Sequence, residues 1–149
     1  MRCRHRVYNE RMAFQNPPGA DIKRLLETAK TIAVVGLSPK ADRPSNGVSR
    51  GLQHFGYKIV PVNPGQSELL GEKTYPDLLS VPGPIDLVDV FRAPEYVPEI
   101  VEQCIARKFP ALWLQEGVVD EQAARRARDA GMLVVMDRCI YKDYLLYLN

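Results

Sequence analysis

From residue 21 onward, short apolar runs alternate with segments in which apolar residues recur at helical spacing. The runs show little alternation with polar residues, which is typical of strands buried on both faces of a parallel sheet. They lie at residues 32–36, 58–62, 87–91, 111–114 and 133–136. The pattern therefore predicts an α/β fold: a Rossmann-like, doubly wound, mostly parallel sheet in a three-layer α/β/α single domain.

Helices are predicted between and after these strands from the spacing of their apolar residues. The first helix runs from a predicted N-cap at Asp21 to Ala29, and the second includes Val48, Leu52 and Phe55. The third follows the apolar stripe at residues 97–105, the fourth runs from Asp120 through the alanines at 123, 124 and 127, and the fifth covers residues 141–148. The stripe includes Cys104, which is predicted to be a core residue. Residues 69–84 are rich in turns, with a short helix predicted around residues 77–79.

Composition agrees with one soluble globular domain. The 149 residues carry a formal net charge of +2, so the overall charge gives no reason to expect binding to nucleic acid or to a membrane surface. Cys3, Cys104 and Cys139 follow neither a disulfide nor a metal-ligand pattern, and a reducing cytosol is the natural location. No apolar run is long enough for a membrane span, and the start of the chain has no apolar core of a signal peptide.

The first 20 residues are predicted to form a flexible basic arm, with the domain occupying residues 21–149. The arm carries Arg2, Arg4, Arg6 and Arg11 and ends in a turn-forming run at residues 16–19. A docking tail and an organelle presequence are the functional alternatives. Met12 is an alternative start of the natural chain.

Polar or glycine-bearing turns follow each predicted strand. Because parallel strands all end at the same edge of the sheet, these turns should converge around a ligand crevice. The turns are Gly36-Leu37-Ser38-Pro39-Lys40, Asn63-Pro64-Gly65, Arg92-Ala93-Pro94, Gln115-Glu116-Gly117 and Asp137-Arg138-Cys139.

The first of these turns has the chemistry of a diphosphate site. Gly36 allows a close backbone approach, Ser38 offers a hydroxyl, and Ser45 or Asn46 is predicted to cap a helix whose free amides attract anions. Lys40, Arg43 and Arg50 add positive charge, and Arg43 is suited to bidentate phosphate contact. The alternative interpretation is an ordinary tight turn with solvated cations.

The turn lacks the full G-x-G-x-x-G fingerprint of dinucleotide sites, since Ser38 and Ala41 replace its second and third glycines. The acidic residue that holds the ribose of NAD is also missing after the second strand, where Asn63 and Pro64 stand. Coenzyme A fits better, because its ribose carries a 3′-phosphate that Lys40, Arg43 or Arg92 would attract.

Five sequence blocks together resemble the small coenzyme A-binding proteins of bacteria and archaea, which are similar to the coenzyme A-binding domain of succinyl-coenzyme A synthetase α subunits and ADP-forming acyl-coenzyme A synthetases. The blocks are IAVVGLSPKADRPS, IVPVNP, DLVDVFR, ALWLQEGV and VVMDRC, in order over about residues 21–140. The resemblance implies that Gly36, Ser38 and Lys40 lie at the diphosphate, that Val62, Asn63 and Pro64 border the adenosine, and that Phe91, Arg92, Gln115, Glu116 and Cys139 line the rest. Arg138 and Gln66 depart from the synthetase pattern, which has asparagine and lysine there.

The expected function is binding of coenzyme A or an acyl-coenzyme A without self-contained catalysis. The related synthetases transfer phosphate through a histidine on a second domain, whereas the only histidines of this sequence are His5 in the arm and His54 on the second helix. An NAD(P)-binding oxidoreductase-type domain and a regulatory module with a catalytic partner are the alternatives. Homodimer formation stays open. Cys139 either packs under the pantetheine arm or forms a mixed disulfide with the ligand thiol.

Overall fold

A computed structural model describes residues 13–148 of the chain. The main sheet contains β1 (Thr31–Val35), β2 (Lys58–Val62), β5 (Leu87–Val90), β6 (Ala111–Leu114) and β7 (Leu133–Met136), and β3 (Glu68–Leu69) pairs with β4 (Glu72–Lys73) in a small separate sheet. The helices are α1 (Gly19–Thr28), α2 (Pro44–His54), α3 (Val97–Arg107), α4 (Glu121–Asp129) and α5 (Ile140–Leu148), and a short 3-10 turn at Pro94–Tyr96 leads into α3.

All five strands of the main sheet are parallel, in the order β2-β1-β5-β6-β7. After β2 the chain returns to the far side of β1 and then proceeds outward, so the strand order reverses between β1 and β5. In open parallel sheets, ligands bind outside the carboxyl ends of the strands at such a reversal. The predicted doubly wound α/β fold is confirmed, and its crevice should open beyond Val35 and Val90.

Helices cover both faces of the sheet, which completes the three predicted layers. One core packs α3 and α4 against the sheet through Val101, Cys104 and Ala124. The other packs α1, α2 and α5 around the fully buried Trp113. Burial raises the pKa of the Cys104 thiol to about 12, as expected for a core residue rather than a reactive one.

Several local predictions were wrong at helix ends and in the turn-rich segment. Helix α1 begins at Gly19 with Pro18 at its N-cap, so Asp21 lies in the first turn. Residues 77–79 form turns rather than a short helix. Asp120 does cap α4, because its side chain accepts a hydrogen bond of 2.9 Å from the Ala123 amide. Among residues 13–148, no helix combines the length and apolar character needed to cross a membrane.

Residues 13–18, which the sequence assigns to the basic arm, contact the domain directly; residues 1–12, including Cys3 and His5, lie outside the described part of the chain. The Phe14 amide donates to Glu121, and the Asn16 side chain both donates to the Met136 carbonyl and accepts from the Met136 amide, at 3.0 and 2.7 Å. This stretch therefore packs along β7 and the start of α4.

Helix α2 contacts α5 at a position that only glycine fits. A Cβ atom on Gly51 would lie 2.5 and 2.7 Å from two ring carbons of Tyr141. Gly51→Ala should therefore force the two helices apart and lower the free energy of unfolding by about 1–3 kcal/mol, which urea unfolding measures.

Gly47 on the same helix provides the matched control. A Cβ atom there meets nothing nearer than the end of the Arg50 side chain at 3.7 Å. Gly47→Ala should raise stability by about 0.5–1 kcal/mol through helix propensity alone. Equal effects of the two substitutions would contradict the packing argument.

Candidate ligand-binding site

Two adjoining cavities open at the carboxyl edge of the sheet, beside the strand reversal. The larger one has a volume of about 650 Å³. It is lined by most of the predicted site residues, namely Gly36, Ser38, Lys40, Arg43, Phe91, Gln115, Glu116 and Cys139. The smaller cavity, of about 180 Å³, is lined by the predicted residues Gly36, Val62, Pro64 and Arg92. Gly36 lines both cavities, so the predicted residues gather around two neighbouring parts of this edge, together called the crevice below.

Asn63 is the exception among the predicted residues, because it lines neither of these two cavities. Its side-chain amide donates a hydrogen bond of 2.9 Å to the Leu37 carbonyl, and its oxygen accepts one of 2.8 Å from the Gly65 amide. Asn63 thus links the turn after β2 to the turn after β1, and so supports the crevice without lining either of its two cavities.

The turn after β1 is held by its own side chains. The Ser38 amide donates to the Ser45 hydroxyl at 2.9 Å, the Ser38 hydroxyl accepts from the Lys40 amide at 3.1 Å, and the Asn46 amide group donates to the Ser38 carbonyl at 2.9 Å. Neither Ser45 nor Asn46 caps α2 as predicted, because the N-cap position is Arg43 without a side-chain hydrogen bond. These two residues fasten the turn to the helix instead.

Gly36 is required both by backbone conformation and by close contact. Its φ angle is +86°, in the region that disfavours residues with a Cβ atom. A Cβ atom here would also lie 3.0 Å from Cδ of Arg92. The Arg92 side chain crosses the turn at this point and stacks on Tyr96, with its guanidinium carbon 3.9 Å from the ring centre.

The larger cavity carries free positive charge. Within the described part of the chain, the charged groups of Lys40 and Arg43 enter no hydrogen bond or ion pair, and both residues are exposed. The negative charge of Glu116 is engaged by Lys142 at 3.0 Å. Arg50, a further predicted cation, is not part of this lining, because it is bound to Asn46 and to the Ala41 carbonyl. Anions entering the cavity therefore meet two available cations.

A buried carboxyl group lies behind the cavity. Asp89, in the middle of β5, is fully buried and accepts a hydrogen bond of 2.6 Å from Nε2 of Gln115. Burial raises the pKa of Asp89 to about 7, and the Gln115 hydrogen bond opposes this rise. The other carboxylate oxygen, Oδ2, has no hydrogen-bond partner among residues 13–148.

The turns after β6 and β7 are joined in the same way as those after β1 and β2. Asp137, whose φ angle is +60°, accepts a hydrogen bond of 2.8 Å from the Gly117 amide. The Arg138 side chain turns away to form a bidentate pair with the buried Asp143. Cys139 therefore faces the cavity while its neighbour Arg138 does not line it.

Sequence reasoning missed part of the lining. Val48 and Val118 add apolar surface to the larger cavity, and Asp77 and Glu99 bring two carboxylates to the smaller one. The two carboxylates belong to segments outside the turns that follow the strands, so a prediction based on those turns did not include them. Asp89 did have a signal, since it is an ionisable residue with apolar residues on both sides within a strand predicted to be buried.

A further cavity of about 390 Å³ lies at the opposite edge of the sheet, between Ala29, Asp86, Pro110 and Leu133. Those residues stand at the amino ends of the strands. The Asp86 carboxylate there accepts hydrogen bonds from the Lys30 and Thr31 amides, both at 2.9 Å. The acidic group of this cavity therefore holds the start of β1 in place. The crevice at the strand reversal is the better candidate site, because ligands bind at the carboxyl ends of the strands in open parallel sheets.

The structure is a doubly wound α/β domain with a crevice at its strand reversal, the place where ligands bind in open parallel sheets. The sequence matches the family of CoA binding domains over residues 30–144. The chain belongs to this family. It is 45% identical over 127 residues to uncharacterized protein YneT of Bacillus subtilis (strain 168), covering 85% of this chain and 94% of that one.

Two further relatives extend the comparison. A hypothetical protein from Pyrococcus horikoshii OT3 has a solved structure that superposes with a TM-score of 0.87 at 35% identity, covering 91% of this chain and 98% of that one. The α subunit of acetate–CoA ligase (ADP-forming) I from Pyrococcus furiosus is 29% identical over 122 residues, which is 71% of this chain and 26% of the ligase subunit. The chain is thus a CoA-binding domain related to subunits of ADP-forming acyl-CoA synthetases.

Proposed function

We propose that this chain binds coenzyme A or an acyl-coenzyme A in the crevice, and that it does so as a binding module without turnover of its own. The observation that carries the proposal is the composition of the larger cavity. It combines two cations that have no partner among residues 13–148, Lys40 and Arg43, with the apolar side chains of Phe91 and Val118 and the amide of Gln115.

Each part of this lining suits a part of the ligand. The diphosphate and the 3′-phosphate are anions, for which the guanidinium of Arg43 and the ammonium of Lys40 supply charge-assisted hydrogen bonds. The pantetheine arm is mostly apolar but contains two secondary amides, which need hydrogen-bond partners once they leave water. Gln115 offers such a partner beside the apolar surface of Phe91 and Val118.

Binding without turnover is proposed because the described part of the lining lacks a catalytic set. Its ionisable side chains are Lys40, Arg43, Glu116 and Cys139. Glu116 is paired with Lys142, and none of the lining residues is a histidine or a neighbour positioned as a base for Cys139. Chemistry on a bound acyl group would then come from a partner protein.

The smaller cavity favours a second candidate, an NAD(P)-binding domain. Asp77 and Glu99 stand there near Val62 and Pro64, at the end of β2, where a dinucleotide site needs a carboxylate for the ribose hydroxyls. The Asp77 carboxylate already accepts a hydrogen bond from the Ser80 amide at 2.9 Å. Among the described residues, the two carboxylates of this cavity outnumber its one cation, Arg92, so we assign the 3′-phosphate to the side of Lys40 and Arg43.

The ligand series that separates the two candidates is coenzyme A, dephospho-coenzyme A and NAD. A ligand that binds only the folded chain raises the melting temperature according to its affinity. We expect coenzyme A to give the largest shift at equal concentration, because only it carries the 3′-phosphate. A larger shift with NAD would favour the second candidate. Equal shifts for all three ligands would show that the 3′-phosphate does not contribute to binding.

A further inference from the structure

Asp89 and Gln115 form a buried pair immediately behind the proposed binding cavity. Asp89 is 0% exposed and Gln115 is 4% exposed, and their hydrogen bond is short, at 2.6 Å. Gln115 also lines the larger cavity, whereas Asp89 lies one layer deeper in the sheet. The nitrogen of the Gln115 side-chain amide therefore contacts the Asp89 carboxyl group, and its carbonyl oxygen is available to a ligand.

The surroundings of Asp89 leave Gln115 as its principal partner. Its neighbours on the adjacent strands are Val34 and Trp113, and the Trp113 ring nitrogen donates elsewhere, to the Arg138 carbonyl. The same core layer contains the apolar residues Ile22, Leu26, Leu52 and Ile140.

Few other groups on this face titrate or carry charge. Helix α5 contributes the buried Asp143, which is paired with Arg138, and helix α2 contributes the buried polar side chains of Ser45, Asn46 and Ser49. Tyr57 belongs to the same layer, but burial raises its pKa to about 12. The ionisable groups on the cavity side are Lys40, Arg43, Cys139 and the Glu116–Lys142 pair. Asp89 is thus the buried group of this layer whose pKa burial brings near neutral pH.

The protonation state of Asp89 determines which way the Gln115 amide can point. An ionised carboxylate only accepts hydrogen bonds, so Gln115 must turn Nε2 towards it and leave its carbonyl oxygen for the cavity. A protonated carboxyl group needs an acceptor for its proton. Because Oδ2 has no partner among the described residues, the proton is best placed on Oδ1, where the carbonyl oxygen of a reversed Gln115 amide accepts it. The cavity then receives an N–H donor instead.

We propose that Asp89 is a positioning residue: in its ionised form it holds the carbonyl of Gln115 towards the cavity, so that the site selects a ligand with an amide N–H, as the pantetheine arm has. This proposal rests on the proposed binding of coenzyme A and adds to it the residue that sets the polarity of the arm's contact. Binding should therefore strengthen as Asp89 ionises.

The test is the dissociation constant of coenzyme A measured by calorimetry from about pH 6 to about pH 8.5, for the wild type, Asp89→Asn and Gln115→Met. With a midpoint at about 7, the wild type should bind up to about tenfold more tightly at the upper end than at the lower end. Asparagine keeps the shape of aspartate but does not titrate, so the Asp89→Asn profile should keep only the change due to ionisation of the ligand and of the cavity groups that both proteins share. Gln115→Met removes the amide and should give the same flattened profile with weaker binding.

Adenosine 3′,5′-bisphosphate, which lacks the pantetheine arm, is the control ligand. Its pH profile should be the same for all three proteins. Parallel coenzyme A profiles for the wild type and both variants would overturn the role of Asp89 while leaving coenzyme A binding intact. A difference between the proteins that also appears with the bisphosphate would overturn it too, since Asp89 would then act on the whole site. Absence of coenzyme A binding by the wild type at every pH would instead overturn the proposed function. If Asp89→Asn does not fold, the Gln115→Met profile alone decides the outcome.

Discussion

Asp89→Asn is expected to stabilise the folded chain, and the gain should be about 3 kcal/mol larger at about pH 8 than at about pH 5. The pKa of Asp89 is about 7 in the fold against 3.8 for the free side chain, because burial disfavours its charge. Between these two values the folded state binds more protons than the unfolded state. The wild type therefore loses stability as pH rises from about 4 to about 7, and the loss then stays constant. Asparagine has no charge to bury, so the variant avoids the loss.

Urea unfolding at the two pH values measures this difference. Asp42→Asn is the matched control, because Asp42 is exposed and the same change of charge there should alter stability by less than about 0.5 kcal/mol at either pH. A gain for Asp89→Asn of the same size at both pH values would show that the pKa of Asp89 is the same in the folded and unfolded states. A loss at the upper pH would show that its charge is favourable there.

Ser38→Asp is expected to weaken coenzyme A binding by at least about a hundredfold. The residue is half-buried in the turn that lines the larger cavity, beside Lys40 and Arg43. A carboxylate about 4 Å from a phosphate costs about 4 kcal/mol at the effective dielectric constant near a protein surface, and it also neutralises part of the local positive charge. Folding should be little affected, because the new side chain can still accept the hydrogen bond from the Lys40 amide.

Ser38→Asn is the control that keeps the shape of aspartate without its charge. Its affinity for coenzyme A should fall far less than that of Ser38→Asp, and the two melting temperatures without ligand should agree within a few degrees. Calorimetric titration of both variants gives the comparison. Equal losses would assign the effect to the size of the side chain, and undiminished binding by Ser38→Asp would place the phosphates away from this turn.

The strands could be predicted closely from sequence because their apolar runs are bounded by turn residues. Residues 58–62, 111–114 and 133–136 are strands with the predicted bounds. The crevice followed from one topological fact, since parallel strands bring the residues after their carboxyl ends together. Most of the predicted site residues accordingly line the two cavities.

The errors arose where tertiary contacts override local preference. Ser45 and Asn46 have the chemistry of helix caps, but here they bind the Ser38 backbone instead. Asn63 has the chemistry of a ligand contact, but the approach of two turns uses both ends of its amide. The pairing of Asp89 with Gln115 depends on the strand order, which brings β6 next to β5 across 26 residues of sequence. No local pattern contains that information.

The contact between Asn16 and Met136 affects whether copies of the chain can associate through the edge of the sheet. Strand β7 is an outer strand of the sheet, and the backbone groups on the open side of such a strand are a template for pairing with a strand from another molecule. The amide of Asn16 occupies both the N–H and the carbonyl of Met136, as a backbone segment would. At the opposite edge, Pro61 in β2 has no N–H to offer, and its carbonyl accepts from the Tyr75 amide. Both margins of the sheet are thus closed to strand addition at these points, which guards the chain against edge-to-edge aggregation.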